Sequence, residues 1–222
     1  MAINPIKVSI SQFYGIEIND FAVTVARTAL WIAENQMMKE TEDIVHMDLD
    51  FLPLKTNAYI VEGNALRLDW EKIVPKKKLN FIMGNPPFLG YSFQSKSQKD
   101  DILSVYIDET GKPYKTAGKI DYVAGWYFKA SAYMQGTSIR TAFVSTNSIT
   151  QGEQVAGVWR PLYDRFGIHI DFAYRTFIWD SEANQKAHVH CVIVGFSAKM
   201  PNMKKRLYDQ GHLFYPDNIN AS

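Results

Sequence analysis

The chain has 222 residues, 46% of them hydrophobic, with 24 basic against 23 acidic side chains and a net charge of +1. That length suits one large α/β domain with its own core, the better expectation, or two small ones, and a near-neutral balance excludes a strongly basic nucleic-acid surface spread over the whole chain. No apolar run reaches the roughly 18 residues of a membrane-spanning helix and no charged-then-apolar segment opens the sequence as a secretory signal would, so the chain reads as cytoplasmic.

Tyr14 to Ile18 reads as a buried strand that ends at Asn19-Asp20, residue types that cap helices. Phe21, Val25, Ala26, Ala29, Ile32 and Ala33 then recur at three- and four-residue spacing and predict an amphipathic helix to about Met38. Ala58 to Val61 is a second short strand, closed by Glu62-Gly63-Asn64, and Leu79 to Met83 a third, closed by Gly84 and two prolines. Ser104 to Lys119, with Gly111, Pro113 and Gly118, is expected to be a mobile loop. Asp121 to Tyr133 carries Tyr122, Val123, Trp126, Tyr127 and Ala130 on one face and predicts a helix, followed by a strand at Thr141 to Ser145. Gln154 to Arg165 is helical with a break near Pro161. Ile168 to Phe177 and His188 to Phe196 are two strands close enough in sequence to pair antiparallel. The alternation of short apolar strands with helices is the pattern of a parallel sheet flanked by helices.

Cys191, the one cysteine, lies in the apolar run Val189 to Phe196 and reads as a buried, inert thiol rather than a nucleophile. The basic runs Lys76-Lys77-Lys78 and Lys204-Lys205-Arg206 are short and read as solvated loops.

Ligands of open α/β sheets bind beyond the carboxyl ends of the strands, so Glu17, Asn64 and Asn85 to Phe88 are the positions of interest. In Asn85-Pro86-Pro87-Phe88, two consecutive prolines lack N–H donors and force a stiff, extended backbone. The Asn85 side-chain oxygen and the Pro86 carbonyl then form two fixed acceptors that can hold both hydrogens of an exocyclic amine, and Phe88 offers a flat face for a planar ring, as a flipped-out base requires. Taken alone, the run is equally a rigid turn. Glu17 is placed to accept from both hydroxyls of a ribose, and Asn64 with Ala65 and Leu66 suits an adenine edge and face; the plain alternatives are an exposed acid and an Asn turn.

The order Tyr14-Gly15-Ile16-Glu17, Gly63-Asn64-Ala65-Leu66, Gly84-Asn85-Pro86-Pro87-Phe88 resembles the amino-DNA methyltransferases. The stretches Leu89 to Lys99, Tyr122 to Lys129 and Ser145 to Gln154 are similar to the MmeI-like branch, and the likeness spans about Phe13 to Phe196. The resemblance implies a Rossmann-like class I methyltransferase with a seven-stranded, largely parallel sheet and an antiparallel last strand. It implies S-adenosylmethionine as cofactor, bound through Glu17, Ile18, Asn64, Ala65 and Leu66, with Asn64 standing where many relatives have Asp. Asn85 and Pro86 would grip the target amine, Pro87 stiffens the motif, and Phe88 would stack on an adenine of double-stranded DNA, within a restriction-modification enzyme. Direct displacement needs no covalent intermediate and no metal.

The family's Gly-rich cofactor turn is expected one strand and helix before Glu17, and residues 1–12 contain no glycine. The expectation is therefore a fragment: residues 1–12 a remnant or leader, 13–198 a partial catalytic domain lacking its first strand, and 199–222 the start of a connection to a target-recognition region. Such a chain would bind the cofactor poorly alone and be inactive. Two rivals stay open: a methyltransferase for a protein glutamine amide, which the same two acceptors could hold, and a non-catalytic binding module. A dinucleotide-dependent oxidoreductase is weak, because no G-x-G-x-x-G run occurs.

Overall fold

In the computed structural model, which describes residues 6–46, 57–179, 189–199 and 203–219, Tyr14–Glu17 forms β1 and Tyr59–Glu62 forms β2, paired in parallel from Tyr14↔Tyr59 to Glu17↔Glu62. Between them runs α1, Asp20–Val45, whose first turn is capped by the Asn19 side chain accepting from the Ala22 N–H at 2.8 Å. The helix continues past Met38 because Lys39 to Val45 holds neither Gly nor Pro, and it stops at His46 in the left-handed region. Only the apolar spacing fades there, which leaves Ile44 at 77% exposure. α1 packs on the pair through Val23, Ala26 and Leu30 against Ala58 and Ile60, and Arg27 donates to the Ile60 carbonyl at 2.9 Å. A short helix, α2 (Trp70–Ile73), capped by Asp69, closes this region.

The second region is built on a six-stranded sheet of order β3-β4-β6-β5-β7-β8. Its strands are β3 (Phe81–Gly84), β4 (Arg140–Thr146), β5 (His169–Trp179), β6 (Val189–Ser197), β7 (Arg206–Asp209) and β8 (His212–Phe214). β3 and β4 are parallel, and β6 runs antiparallel to both β4 and β5, as the short link between the last two long strands anticipates. Strand alternation buries Thr141, Phe143 and Ser145 of β4 with Val192, Val194 and Phe196 of β6 on one face. Over that face lies α4, Ala124–Tyr133. Its Tyr127 stacks on Phe196 at 5.3 Å, meets Phe143 and Trp159 edge-on and shares a 2.9 Å hydrogen bond with Ser145. On the other face Phe172 lies over Gly195, where a Cβ would fall 2.0 Å from the ring, so only glycine fits. Asp171, buried there, accepts from Ser197 and pairs with Arg140 at 3.4 Å. Burial pushes its carboxyl above the usual range, against the pull of both partners.

The break expected near Pro161 is instead a distortion: the helical stretch runs without interruption from Gly152 to Phe166, with Pro161 in the first turn of its last segment. Gly152–Gln154 (α5) runs into a π-helical turn, Val155–Trp159, and then α6, Arg160–Phe166. Pro161 has no N–H to donate to the Gly157 carbonyl. The buried Tyr106 hydroxyl donates instead to the carbonyls of Gly157 (2.7 Å) and Val158 (2.9 Å).

The contacts divide the chain into two units, Met1–Val74 and Pro75–Ser222, each with its own sheet. Three expectations change. The implied seven-stranded sheet is instead a pair plus a sheet of six, because β1 and β3 each have a hydrogen-bonded neighbour on one side only among the described residues. The segment expected as a mobile loop includes the end of α3 (Lys96–Val105) and a closed turn, in which the Asp108 carboxylate accepts from the Thr110 N–H, the Thr110 hydroxyl and the Lys112 N–H. Residues 199–222, read as the start of a connection, carry β7 and β8, with β7 pairing in parallel to β5. His188 and residues 1–5 lie outside the described residues.

Candidate functional site

In the second unit, β3 delivers the chain to the motif. Gly84 is its last residue and pairs with Phe143. At Pro86 and Pro87 the backbone has no N–H to continue a ladder, so it leaves the sheet. Asn85 is exposed and its side chain makes no hydrogen bond to another described residue; Pro86 is buried, Pro87 exposed and Phe88 half-buried. An unengaged amide at a strand end, on a backbone stiffened by two prolines, can accept hydrogens from a ligand.

The loop after the motif is firmly held. The Leu89 carbonyl accepts from the Tyr122 N–H at 2.9 Å. Asp121, 8% exposed, accepts from the Tyr91 N–H at 3.2 Å with one carboxylate oxygen and from the Ser148 hydroxyl at 2.6 Å with the other. Ser148 in turn shares a 2.7 Å bond with Thr146, the last residue of β4. The buried Gln94 amide donates to the Ile120 carbonyl at 2.9 Å, and Gln154 links the Asp121 N–H to the Lys119 carbonyl. Asp121 therefore ties the loop after β3 to the loop after β4. Sequence reasoning missed Asp121, Gln94 and Ser148, whose contacts span some 26 to 30 positions. The Ser95-x-x-Gln98 capping box that starts α3 right after this loop was a legible signal, and the structure makes both of its bonds.

In the first unit, Glu17 is the half-buried last residue of β1 and faces Glu62 in the register, which places two carboxylates side by side at the strand ends. Ile18 is 64% exposed. The Gly63 N–H donates to the Glu17 carbonyl at 2.7 Å, and Gly63 holds φ +150 with no room for a Cβ beside Leu68. The Asn64 side-chain oxygen turns back to accept from the Leu66 N–H at 2.9 Å, forming a local turn. Leu66 is buried at 2% exposure, so Ala65, half-buried, presents the more accessible apolar surface of this turn. Glu17, Ile18, Asn64 and Ala65 thus gather at one end of the β1–β2 pair, and Asn85 to Phe88 at the end of β3.

Cys191 is fully buried and burial pushes its thiol up, consistent with an inert side chain. The lysine run at 76–78 is not wholly solvated: Lys76 donates to the Gln135 carbonyl at 2.9 Å.

Residues 2–209 match the family model described as MmeI, DNA-methyltransferase domain. DNA methyltransferase A of Bacillus subtilis (strain 168) is 43% identical over 205 residues, covering 91% of this chain and 23% of that protein. Among solved structures, the Type IIL restriction-modification enzyme MmeI in complex with DNA aligns at TM-score 0.88 and 43% identity, over 97% of this chain and 29% of that one. The chain spans less than a third of the length of either relative.

Proposed function

Because the chain belongs to the family of the MmeI DNA-methyltransferase domain, we propose that it carries the catalytic machinery of a restriction-modification enzyme that methylates the exocyclic amine of adenine in double-stranded DNA. The observation that carries this reading is Asn85: an exposed amide, without a side-chain hydrogen bond to another described residue, just after a parallel strand and followed by two prolines and a half-buried aromatic ring. The fold reading is a Rossmann-like class I methyltransferase. It is supported by the β1-α1-β2 parallel unit and by β6, antiparallel between β4 and β5.

The chemistry of the strand ends fits S-adenosylmethionine. Ribose hydroxyls are donors, and Glu17 supplies a carboxylate acceptor where the strand stops; Asn64 and Ala65 offer polar and apolar surface for an adenine ring. When bound, the cofactor supplies an electrophilic sulfonium methyl. The chain's own contribution is to position the nucleophile. Asn85 and the Pro86 carbonyl accept the two amine hydrogens, which turns the nitrogen lone pair outward, and Phe88 stacks on the base to fix its plane. The buried, proton-retaining Cys191 takes no part.

Asn85→Ala leaves a single acceptor and should lower methyl transfer on the order of a hundredfold while leaving the fold intact, since the side chain is exposed. Mapping modified adenines in DNA from cells expressing the protein from its complete reading frame, with and without the substitution, tests this. Unmethylated DNA in both cultures, together with methylated glutamine in a co-expressed protein substrate, would favour the amide methyltransferase instead.

A further inference from the structure

Immediately beyond the Asn85 to Phe88 motif, the chain makes a tight turn at Tyr91–Phe93 that holds Phe93 79% exposed and Tyr91 46% exposed. A ring left in water forgoes the gain that burial brings, and a loose loop would fold it away. This turn is not loose. The Tyr91 N–H is bound by the buried Asp121 carboxylate, the Phe93 N–H donates to the Gly90 carbonyl at 3.0 Å, and the next residue, Gln94, is buried and anchored on Ile120. The capping box of Ser95 and Gln98 fixes the start of α3 directly after it. Lys96 and Lys99, both exposed, stand in the first turn of α3, which contains no acidic residue. An apolar ring is thus presented on a rigid mount, with cations beside it and with the target-amine motif only five residues upstream.

Resting on the function proposed above, we propose that Phe93 is a DNA wedge. Its ring inserts into the base stack of the duplex beside the nucleotide being extruded, Tyr91 lies against the adjoining sugar or base, and Lys96 and Lys99 face the phosphates. Extruding a base costs stacking and pairing, and an aromatic ring that stacks on the neighbouring bases recovers part of that cost. Because Asp121 ties the turn to the end of β4 through Ser148, the wedge and the amine-gripping motif keep a fixed spacing.

The test uses the protein expressed from its complete reading frame and a short duplex carrying its mapped methylation site. Phe93→Ala should methylate the matched duplex about tenfold more slowly, with an unchanged KM for S-adenosylmethionine and unchanged thermal unfolding. A duplex with an abasic site opposite the target, which needs little extrusion work, should bring the variant to within about threefold of the parent. Phe93→Trp should keep most activity on the matched duplex. Full activity of Phe93→Ala on the matched duplex overturns the wedge, as does an equal loss on both duplexes, which would mark Phe93 as a structural contact. The outcomes separate from the underlying reading: if the unsubstituted protein methylates no DNA, the function falls and the wedge with it, whereas activity lost in Asn85→Ala but kept in Phe93→Ala removes the wedge alone.

Discussion

Two buried hydroxyls in the second unit, those of Ser131 and Thr141, have no hydrogen-bond partner among the described residues. Thr141 is 2% exposed on the covered face of β4, where a β-branched residue suits the strand but its oxygen has no hydrogen-bond partner among the described residues. Burying an unpaired hydroxyl costs roughly 1–3 kcal/mol, so Thr141→Val, which keeps the shape and removes the oxygen, should raise stability by about 1 kcal/mol. Urea denaturation would show a higher midpoint at unchanged slope; a lower midpoint would mean that the hydroxyl has a partner. The same logic of satisfied and unsatisfied atoms separates what was legible in the site. Asn85, Pro86 and Glu17 are candidates from local chemistry alone: a proline lacks its donor, and a carboxylate that ends a strand can meet a ligand, Glu17 being half-buried there. Asp121 was opaque, since nothing near it in sequence tells that its two oxygens are taken by Tyr91 and Ser148.

At the scale of elements, periodicity and capping located β1 to β6, α1 and α4, whereas α3, β7 and β8 were not anticipated. The limits lay where periodicity and chain stiffness disagree. α1 runs on to Val45 and packs through Val23, Ala26 and Leu30, leaving Phe21, Val25 and Ile32 of the predicted stripe at least half exposed, and the π turn before Pro161 is met by a distant hydroxyl. Tyr106 is fully buried, and burial holds its phenol well above the usual range, so it acts as a donor at any ordinary pH. Tyr106→Phe leaves the carbonyls of Gly157 and Val158 without that donor and should cost about 1–3 kcal/mol. In a Pro161→Ala background the new N–H can serve the Gly157 carbonyl, so the same Tyr106→Phe change should cost less. A double-mutant cycle by chemical denaturation reads this coupling. Equal costs in both backgrounds would show that the hydroxyl does not stand in for the hydrogen bond that proline removes.

For the molecule as a whole, the division into two units carries a dynamic consequence that no stretch of sequence displays. The first unit packs one helix on two strands through Val23, Ala26, Leu30, Ala58 and Ile60, while Phe21, Val25 and Ile32 of the same helix stay at least half exposed. The second unit encloses Tyr127, Phe143, Trp159 and Phe196, all at 2% exposure or less, beneath a mixed sheet. Stability follows the apolar area removed from water, and a region with few buried side chains opens at a lower free energy than one with many. The residues proposed to meet the cofactor, Glu17 and Asn64, therefore sit on the less stable scaffold, and those proposed to grip the amine on the more stable one. Native-state hydrogen exchange of this polypeptide should find the amides of Ile60 and Val61 exchanging at least about tenfold faster than those of Phe143 and Val194, with the difference shrinking as denaturant rises and global unfolding takes over. Matched protection in both units at low denaturant would mean that they open as one cooperative body, and the assignment of unequal stability to the two units would fail.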